Sequence, residues 1–286
     1  MIREPRPQDF DFHCHSTASD GSLTPAELVA RAAACGVRRL ALTDHDTLAG
    51  LPQARHSARD AGVELVTGIE WSVQWQGREL HLLGLGMDAG CQALGELEAE
   101  QQQARRLRAH RIGSRLDRAT GLGDSYERAA ELAGTNAPGR PWFARVLVGA
   151  GHARDMNHAF TRFLRQGQCA FVRTPWVELE RAARVVREAG GVPVLAHPVR
   201  YGLTRRKLRQ LLAALCEAGG GGLEVAMPGL NANQQGLLDE CLRDFPLCAS
   251  GGSDFHSPEQ KWLELGRLPD FPQGADTVLE RLERAA

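Results

Sequence analysis

The chain has 286 residues, 43% of them apolar, and a formal net charge of −1. That length suits one large α/β domain with an elaboration, or two domains. The near-zero charge excludes a global pull toward nucleic acid or acidic membranes, so any grip on a phosphorylated ligand must be local.

The seven cysteines are odd in number and scattered, with no CxxC pair. This argues against a disulfide framework and against a zinc ribbon. The N-terminus has no apolar signal core, and no run of about 18 apolar residues occurs. The expectation is a cytoplasmic protein without a membrane segment. Basic residues are nearly all Arg, with Lys only at Lys207 and Lys261, a bias best read as coding composition.

In chain order, FDFHCHS (10–16) reads as a strand. Alternation there would turn Asp11, His13 and His15 to one face and Phe10, Phe12 and Cys14 to the other. TPAELVARAAACG (24–36) reads as a helix, with Thr24 as N-cap, Pro25 in the first turn and Gly36 past the end. RLALTDHD (39–46) has the apolar character of a buried parallel strand. LPQARHSARDAG (51–62) is helical. VELVTGIEWSV (63–73) and RELHLLGLGMD (78–88) are strands joined through QWQG as a hairpin.

The pattern then changes. Residues 92–135 are helical and polar, with the run Arg105, Arg106, Arg108, Arg111, Arg115 and Arg118 as a solvated face. Short helices follow at 139–151 and 156–167, and CAFV (169–172) is the only strand-like piece. Strand–helix alternation resumes at Val177. Helices are expected at 178–191, 205–219, 231–245 and 275–286, and strands at 192–198, 221–228 and 247–257. About seven strands in this order predict an α/β fold arranged like a barrel, with residues 1–90 and 169–286 forming it and 91–168 a helical insertion.

Acids and histidines gather at the strand ends: His13, His15 and Asp20, then His45, Glu70, His81, His197, Asp254 and His256. In parallel α/β barrels those ends form the active face. Nine ionisable groups at one mouth are costly unless something pairs them, which divalent cations do. Nine ligands exceed the four that a tetrahedral zinc takes. Two or three ions sharing a carboxylate fit better, and Glu70 is the candidate bridge, because a carboxylate has two oxygens. The set of His and carboxylate suits Mn, Zn or Fe. His56, His110, His152 and His158 sit on helical stretches and read as structural or exposed.

Six stretches, DFHCHSTASDG, LTDHDT, GIEWS, HLLGLG, AHP and GGSDFH, resemble in order the motifs of the PHP family, named for polymerase and histidinol phosphatase. The resemblance spans essentially the whole chain. It looks most like the stand-alone phosphoesterase branch, similar to nucleoside 3′,5′-bisphosphate phosphatases and to 5′→3′ exoribonucleases on short RNA. It implies a distorted (β/α)7 TIM-like barrel with an inserted helical subdomain. It also implies a multinuclear centre of two or three divalent ions, manganese before zinc or iron. Carried over, His13, His15, Glu70 and Asp254 match the ligands of one ion, Glu70, His81 and His197 a second, and Asp20, His45 and His256 a third. The catalytic set so implied is His13, His15, Glu70, His197 and Asp254. Trp142 departs from the branch, where a His is often found in GRP(x)FAR.

The expected reaction is phosphate ester hydrolysis by a metal-activated hydroxide. Asp11 and Asp44 flank ligands and could orient histidine rings, and Asp44 is also a candidate for protonating the leaving group. For a second phosphate, Arg140 opens the GRPWFAR helix and Arg200 lies three residues after His197, while Arg145 falls on the opposite helix side. Asn233 could read a base edge, whereas Asn231 reads as a helix cap. The first reading of function is removal of the 3′-phosphate from pAp, giving AMP. Alternatives are a 5′→3′ exoribonuclease on short 5′-phosphorylated RNA, a histidinol-phosphatase-like enzyme, and a non-catalytic PHP binding module. No DNA duplex or membrane is expected as a partner.

Overall fold

The structure is a computed structural model that describes residues 2–284. Two short strands, β1 (Arg6–Pro7) and β2 (Phe10–Asp11), are followed by α1 (Pro25–Ala34), β3 (Arg39–Leu42) and α2 (Leu51–Ala61). The long strands β4 (Glu64–Trp75) and β5 (Arg78–Leu85) come next. Helices α3 (Gln92–Thr120), α4 (Ser125–Ala133), α5 (Arg140–Gly149) and α6 (Met156–Ala159) follow, and a π-turn at Phe160–Leu164 extends the last. Then come β6 (Val177–Glu178), α7 (Leu179–Glu188), β7 (Val192–Leu195), α8 (Arg205–Glu217), β8 (Gly222–Ala226), α9 (Ala232–Asp244) and β9 (Cys248–Gly251). The described chain ends with β10 (Arg267–Leu268) and α10 (Val278–Glu283). Residues 285–286 of the helix expected there lie outside the described residues.

The main sheet runs β2-β3-β4-β5-β7-β8-β9, with β6 beside β4. It is a mixed α/β sheet rich in parallel pairs. Its two antiparallel pairs, β4 with β5 and β5 with β7, both involve β5. The reversal comes from the QWQG hairpin: Gln76 and Gly77 take φ of 48° and 73°, the left-handed pair that a tight two-residue turn requires. The capping box of Thr24 and Glu27, with Pro25 in the first turn, starts α1 as expected.

Three expectations are corrected. FDFHCHS forms regular strand only at Phe10–Asp11. Phe10 and Phe12 join one apolar cluster while Cys14 joins another, so simple alternation does not continue across His13. CAFV forms no strand, because nothing pairs with it. The small β1–β10 sheet was not anticipated.

Alternation within the strands separates two cores. Ile69, Trp71 and Val73 of β4, Leu80 and Leu82 of β5, and Leu223 and Val225 of β8 pack in one cluster with Leu179 and Val186 of α7 and Leu211 and Leu212 of α8. Leu83, Leu85, Val194, Ala41 and Phe12 form the cluster on the other face. Glu70, His81 and Glu224 alternate with residues of the first cluster and so belong to that other face. Beyond β2 the chain meets the segment after β9: Phe12 N donates to Gly251 O (3.2 Å), Asp254 N to His13 O (2.8 Å) and His15 N to Phe255 O (2.9 Å).

By compactness the chain forms two units, one running up to Glu98 and from Val177 onward, the other Ala99–Trp176. The second has its own apolar core, including Ile112, Leu116, Phe143, Leu147 and Phe163. Its arginine run is not uniformly solvated. Arg108 is buried, and the guanidinium groups of Arg105 and Arg108 lie over the Trp176 ring at 5.5 and 5.1 Å.

Candidate metal centre

Glu70, buried in the middle of β4, is the hub. Its Oε1 lies 3.3 Å from His13 Nε2, 2.9 Å from His81 Nδ1 and 3.0 Å from His197 Nε2. Its Oε2 lies 3.2 Å from His15 Nε2 and 3.0 Å from His45 Nδ1. Asp254 Oδ1 approaches His13 Nε2 at 3.3 Å and His15 Nε2 at 3.2 Å. Asp20 is 3.4 Å from His256 Nε2, and 3.9 Å from both His15 Nδ1 and His45 Nε2. The structure thus brings all nine sequence-selected side chains together.

Three sets of donor atoms, each lying within 4.8 Å of one another, could hold a metal ion: His13, His15, Glu70 and Asp254; His45, Glu70 and His81; and His15, Asp20, His45 and His256. Three details differ from the expected grouping. His15 also faces the Asp20 set through its second nitrogen, His45 also faces Glu70, and His45 rather than His197 completes the set with Glu70 and His81, although His197 Nε2 lies 3.0 Å from Glu70 Oε1.

Local backbone explains the convergence. Any side chain at Gly252 would put a Cβ 2.2 Å from the His13 Cβ, so the segment after β9 approaches His13 only because it carries glycine there. His197 and Asp254 adopt φ of 28° and 55°. These turns aim both side chains where regular extended backbone would not.

The donor set fits a divalent cation. His13 Nε2, both nitrogens of His15, His45 Nδ1, Glu70 Oε2 and His197 Nδ1 are buried and make no hydrogen bond. Buried polar atoms without partners are costly, and a cation shared among them would satisfy those facing the carboxylates. Burial alone would raise the pKa of Glu70, but His81, His13 and His45 hold it well below the usual carboxylate range. Asp254 is buried too, and His13 and His256 hold it down in the same way. Both remain anionic, as metal ligands must.

The supporting residues behave differently from expectation. Asp11 orients no imidazole; its carboxylate accepts backbone N–H groups from His13 (3.2 Å), Ser253 (3.0 Å) and Gly266 (2.9 Å). Asp44 accepts from Ser16 N (2.7 Å), Ser16 Oγ (2.6 Å) and Ser19 Oγ (2.6 Å), and so fastens the loop that carries Asp20. Two contributors went unnoticed in the sequence. Glu224, fully buried on β8, contacts His13 and His197. Tyr201 accepts from His81 N (2.9 Å) and donates to Ala196 O (2.9 Å), tying β5 to the end of β7. A lone Glu inside GLEVA was the available signal for the first.

Arg200 donates to Asp254 Oδ2. Asn231 caps α9 with a full capping box, and Asn233 is exposed in its first turn. Arg140 is the first residue of α5, in the Ala99–Trp176 unit. In that unit Trp142 is buried, with the Arg145 guanidinium 4.3 Å above its ring. Cys14 is a core residue, its thiol donating to Ala41 O. The other four histidines lie outside the cluster: His110 stacks on Tyr126, His56 faces Asp60 on an exposed helix surface, His158 is in α6, and His152 falls in the bend between α5 and α6 rather than on a helix.

A model of the PHP domain matches residues 11–135. A 5′-3′ exoribonuclease from Haemophilus influenzae is 41% identical over 272 residues, covering 95% of this chain and 98% of its own. A 3′,5′-nucleoside bisphosphate phosphatase from Chromobacterium violaceum is 35% identical over 276 residues, covering 96% of each chain. A solved structure from the same organism, described as an amidohydrolase with bound sulfate and no metal, has a TM-score of 0.91 at 34% identity, over 97% of this chain and 96% of its own. Likeness along nearly the whole length, on top of a donor set built for divalent cations, shows that the chain belongs to the PHP domain family and is a metal-dependent phosphoesterase.

Proposed function

We propose that the protein removes the 3′-phosphate from nucleoside 3′,5′-bisphosphates, converting pAp to AMP and phosphate. The observation that carries this reading is the gathering of nine His and carboxylate side chains, Glu70 at their hub, with Arg200 at the outer oxygen of Asp254. His13, His15, Glu70 and Asp254 would hold one divalent ion, Glu70, His81 and His197 a second, and Asp20, His45 and His256 a third, manganese before zinc or iron. When bound, such ions supply a water nucleophile ionised at neutral pH and charge neutralisation at the phosphoryl group.

The chain's own part is placement and charge. Glu70, whose two oxygens face five imidazoles, would serve more than one ion. Asp254 orients toward His13 and His15 through one oxygen and toward Arg200 through the other. Arg200, with its side chain half-exposed, can grip a phosphate oxygen in the same fork geometry that grips a carboxylate. Arg140, at the start of α5, and Asn233, at the start of α9, are the further substrate contacts proposed. In the reaction, water oxygen bonds to phosphorus, the P–O3′ bond breaks, and O3′ takes up a proton.

The likeness to an enzyme named 5′-3′ exoribonuclease supports a second reading on the same site, because a 3′-phosphodiester in RNA presents its phosphorus where the bisphosphate presents the 3′-phosphate. The barrel arrangement belongs to this proposal as well, supported by the hydrogen bonds between residues 12–15 and 251–255. So does its division into residues 1–90 with 169–286 and an inserted 91–168. No helix among the described residues is long and apolar enough to cross a membrane, and the proposed setting is the cytoplasm.

The test is phosphate release with Mn²⁺ from pAp, AMP, histidinol phosphate and a 5′-phosphorylated dinucleotide. Release from pAp with AMP accumulating is the expected result. Cleavage of the dinucleotide alone would favour the exoribonuclease reading, and release from histidinol phosphate alone would overturn both. No release from any of them with Mn²⁺ bound would favour a binding module.

A further inference from the structure

We propose that Glu224 is a positioning residue for the metal centre, one carboxylate that sets the ring of His13 and the backbone of His197 at the same time. The inference rests on the reading of those two histidines as ligands. Strand β8 (GLEVA) is buried along its whole length. Leu223 and Val225 pack into the helix-side core, so the pleat turns Glu224 to the opposite face. A carboxylate with no solvent exposure in an apolar strand is expensive unless its oxygens are satisfied. Its partners are both parts of the candidate centre.

Oε1 of Glu224 lies 2.9 Å from His13 Nδ1. A neutral imidazole that donates from Nδ1 carries its lone pair on Nε2. That nitrogen is the atom 3.3 Å from both Glu70 Oε1 and Asp254 Oδ1, and it makes no hydrogen bond of its own. Glu224 and Glu70 therefore sit at the two ends of one ring, the first fixing the tautomer that the second needs. A carboxylate behind a ligating histidine also raises the basicity of the ligating nitrogen.

Oε2 of Glu224 accepts the backbone N–H of His197 at 2.6 Å. His197 has φ 28° and ψ 55°, a conformation that a non-glycine residue holds only when its surroundings impose it. Val192, Val194 and Ala196 share the inner cluster while Leu195 packs in the helix-side core, so strict alternation would send residue 197 outward with Leu195. The turn at His197 instead carries its Nε2 to 3.0 Å from Glu70 Oε1. The same carboxylate thus locks a tautomer on one ligand and a backbone turn on another, and the two rings stack with centroids 5.6 Å apart. Both oxygens of Glu224 are engaged, by His13 Nδ1 and by His197 N–H, so its contribution runs through its neighbours.

The experiment compares wild type, Glu224→Gln and Glu224→Asp as full chains. Mn²⁺ affinity and stoichiometry are read by calorimetry, the melting point is read in chelator, and the His13 tautomer is read by ¹⁵N NMR of the Zn²⁺-loaded protein. In Glu224→Gln the amide oxygen can serve His197 N–H, which leaves the NH₂ facing His13 Nδ1 and drives the ring proton to Nε2. The expected result is a roughly 10–100-fold loss of Mn²⁺ affinity, felt at more than one ion, with the metal-free melting point within about 4 °C of wild type and a changed His13 ¹⁵N pattern. Glu224→Asp keeps the charge but withdraws it by one methylene, and an intermediate loss is expected. Should Glu224→Gln fail to fold, Glu224→Asp carries the test by itself. Wild-type affinity in whichever variant folds, or lost affinity with an unchanged His13 pattern in Glu224→Gln, overturns the proposal. His13→Ala separates the two levels. If it binds Mn²⁺ like wild type, the ligand reading falls, whereas weak binding in His13→Ala beside normal binding in Glu224→Gln overturns the role of Glu224 alone.

Discussion

Arg200 donates to one oxygen of Asp254, while the other oxygen faces His13 Nε2 at 3.3 Å and His15 Nε2 at 3.2 Å. One carboxylate therefore stands between the metal-facing histidines and a guanidinium whose side chain is 47% exposed. That exposure leaves donors on Arg200 free to turn toward a phosphate in solution.

Arg200→Ala tests this directly. A charge-assisted hydrogen bond to phosphate is worth about 1.5–3 kcal/mol, so the KM for pAp should rise roughly 10–100-fold. The effect on a simple aryl phosphate should be much smaller. Equal losses on both substrates would mean that Arg200 serves Asp254 rather than a second phosphate.

Glu70 faces five imidazoles. Glu70→Gln removes the charge while keeping the shape, and it should lower bound Mn²⁺ by more than one ion per chain, measured by equilibrium dialysis. Turnover should fall at least about 100-fold, the scale of losing a major electrostatic group at a reacting centre. Asp254→Asn should reduce turnover comparably, and retained activity in either variant would refute the ligand assignment.

Proton release on metal loading follows from the charge state of two histidines. Burial opposes charge on His15, yet Asp254 and Glu70 against its ring raise its pKa from 6.5 to about 10. At His45 burial prevails over Glu70 and Asp20 and lowers the pKa to about 4. At pH 7 the metal-free protein holds His15 as the imidazolium and His45 as the neutral imidazole. A pKa raised on folding contributes stability that is complete below the unfolded value and lost as pH climbs through the folded one. The metal-free melting point should therefore fall between pH 7 and 10. A metal must displace the His15 proton, so Mn²⁺ affinity should increase over the same range. Calorimetry in buffers of different ionisation enthalpy should show net proton release, and its absence would argue against His15 as a ligand.

Asp11 is a stability residue by its contacts. Asp11→Ala leaves three buried backbone N–H groups, those of His13, Ser253 and Gly266, without their acceptor. The cost should be about 3–5 kcal/mol in urea unfolding of the metal-free protein. A loss below about 1 kcal/mol would mean that other acceptors replace the carboxylate.

The nine clustered side chains were legible in the sequence because each lies in a short motif where local pattern and chemistry coincide, although Glu70 and His81 fall within strands rather than at their ends. The hairpin that reverses β5 was legible for the same reason, since QWQG is a local signal. Glu224 was not, because its meaning depends on His13, 211 positions away. The turn at His197 was hidden as well, since a positive φ without glycine leaves no compositional mark. CAFV shows the opposite failure: residues suited to a strand form none, because strand preference depends on neighbours to pair with. Asp11 was recognisable as important, but backbone amides, its actual partners, are the same at every residue and give no sequence cue.

The contact of residues 12–15 with 251–255 joins the first ligands of the chain to the last. On a ribosome, His13 and His15 are made before Asp254 and His256 and meet them only after everything between has been made. Contacts of such long sequence separation form late, because the closure entropy of the whole loop must be met first. The centre therefore assembles only once the segment around Asp254 has joined the one around His13, and metal uptake reports on that closure.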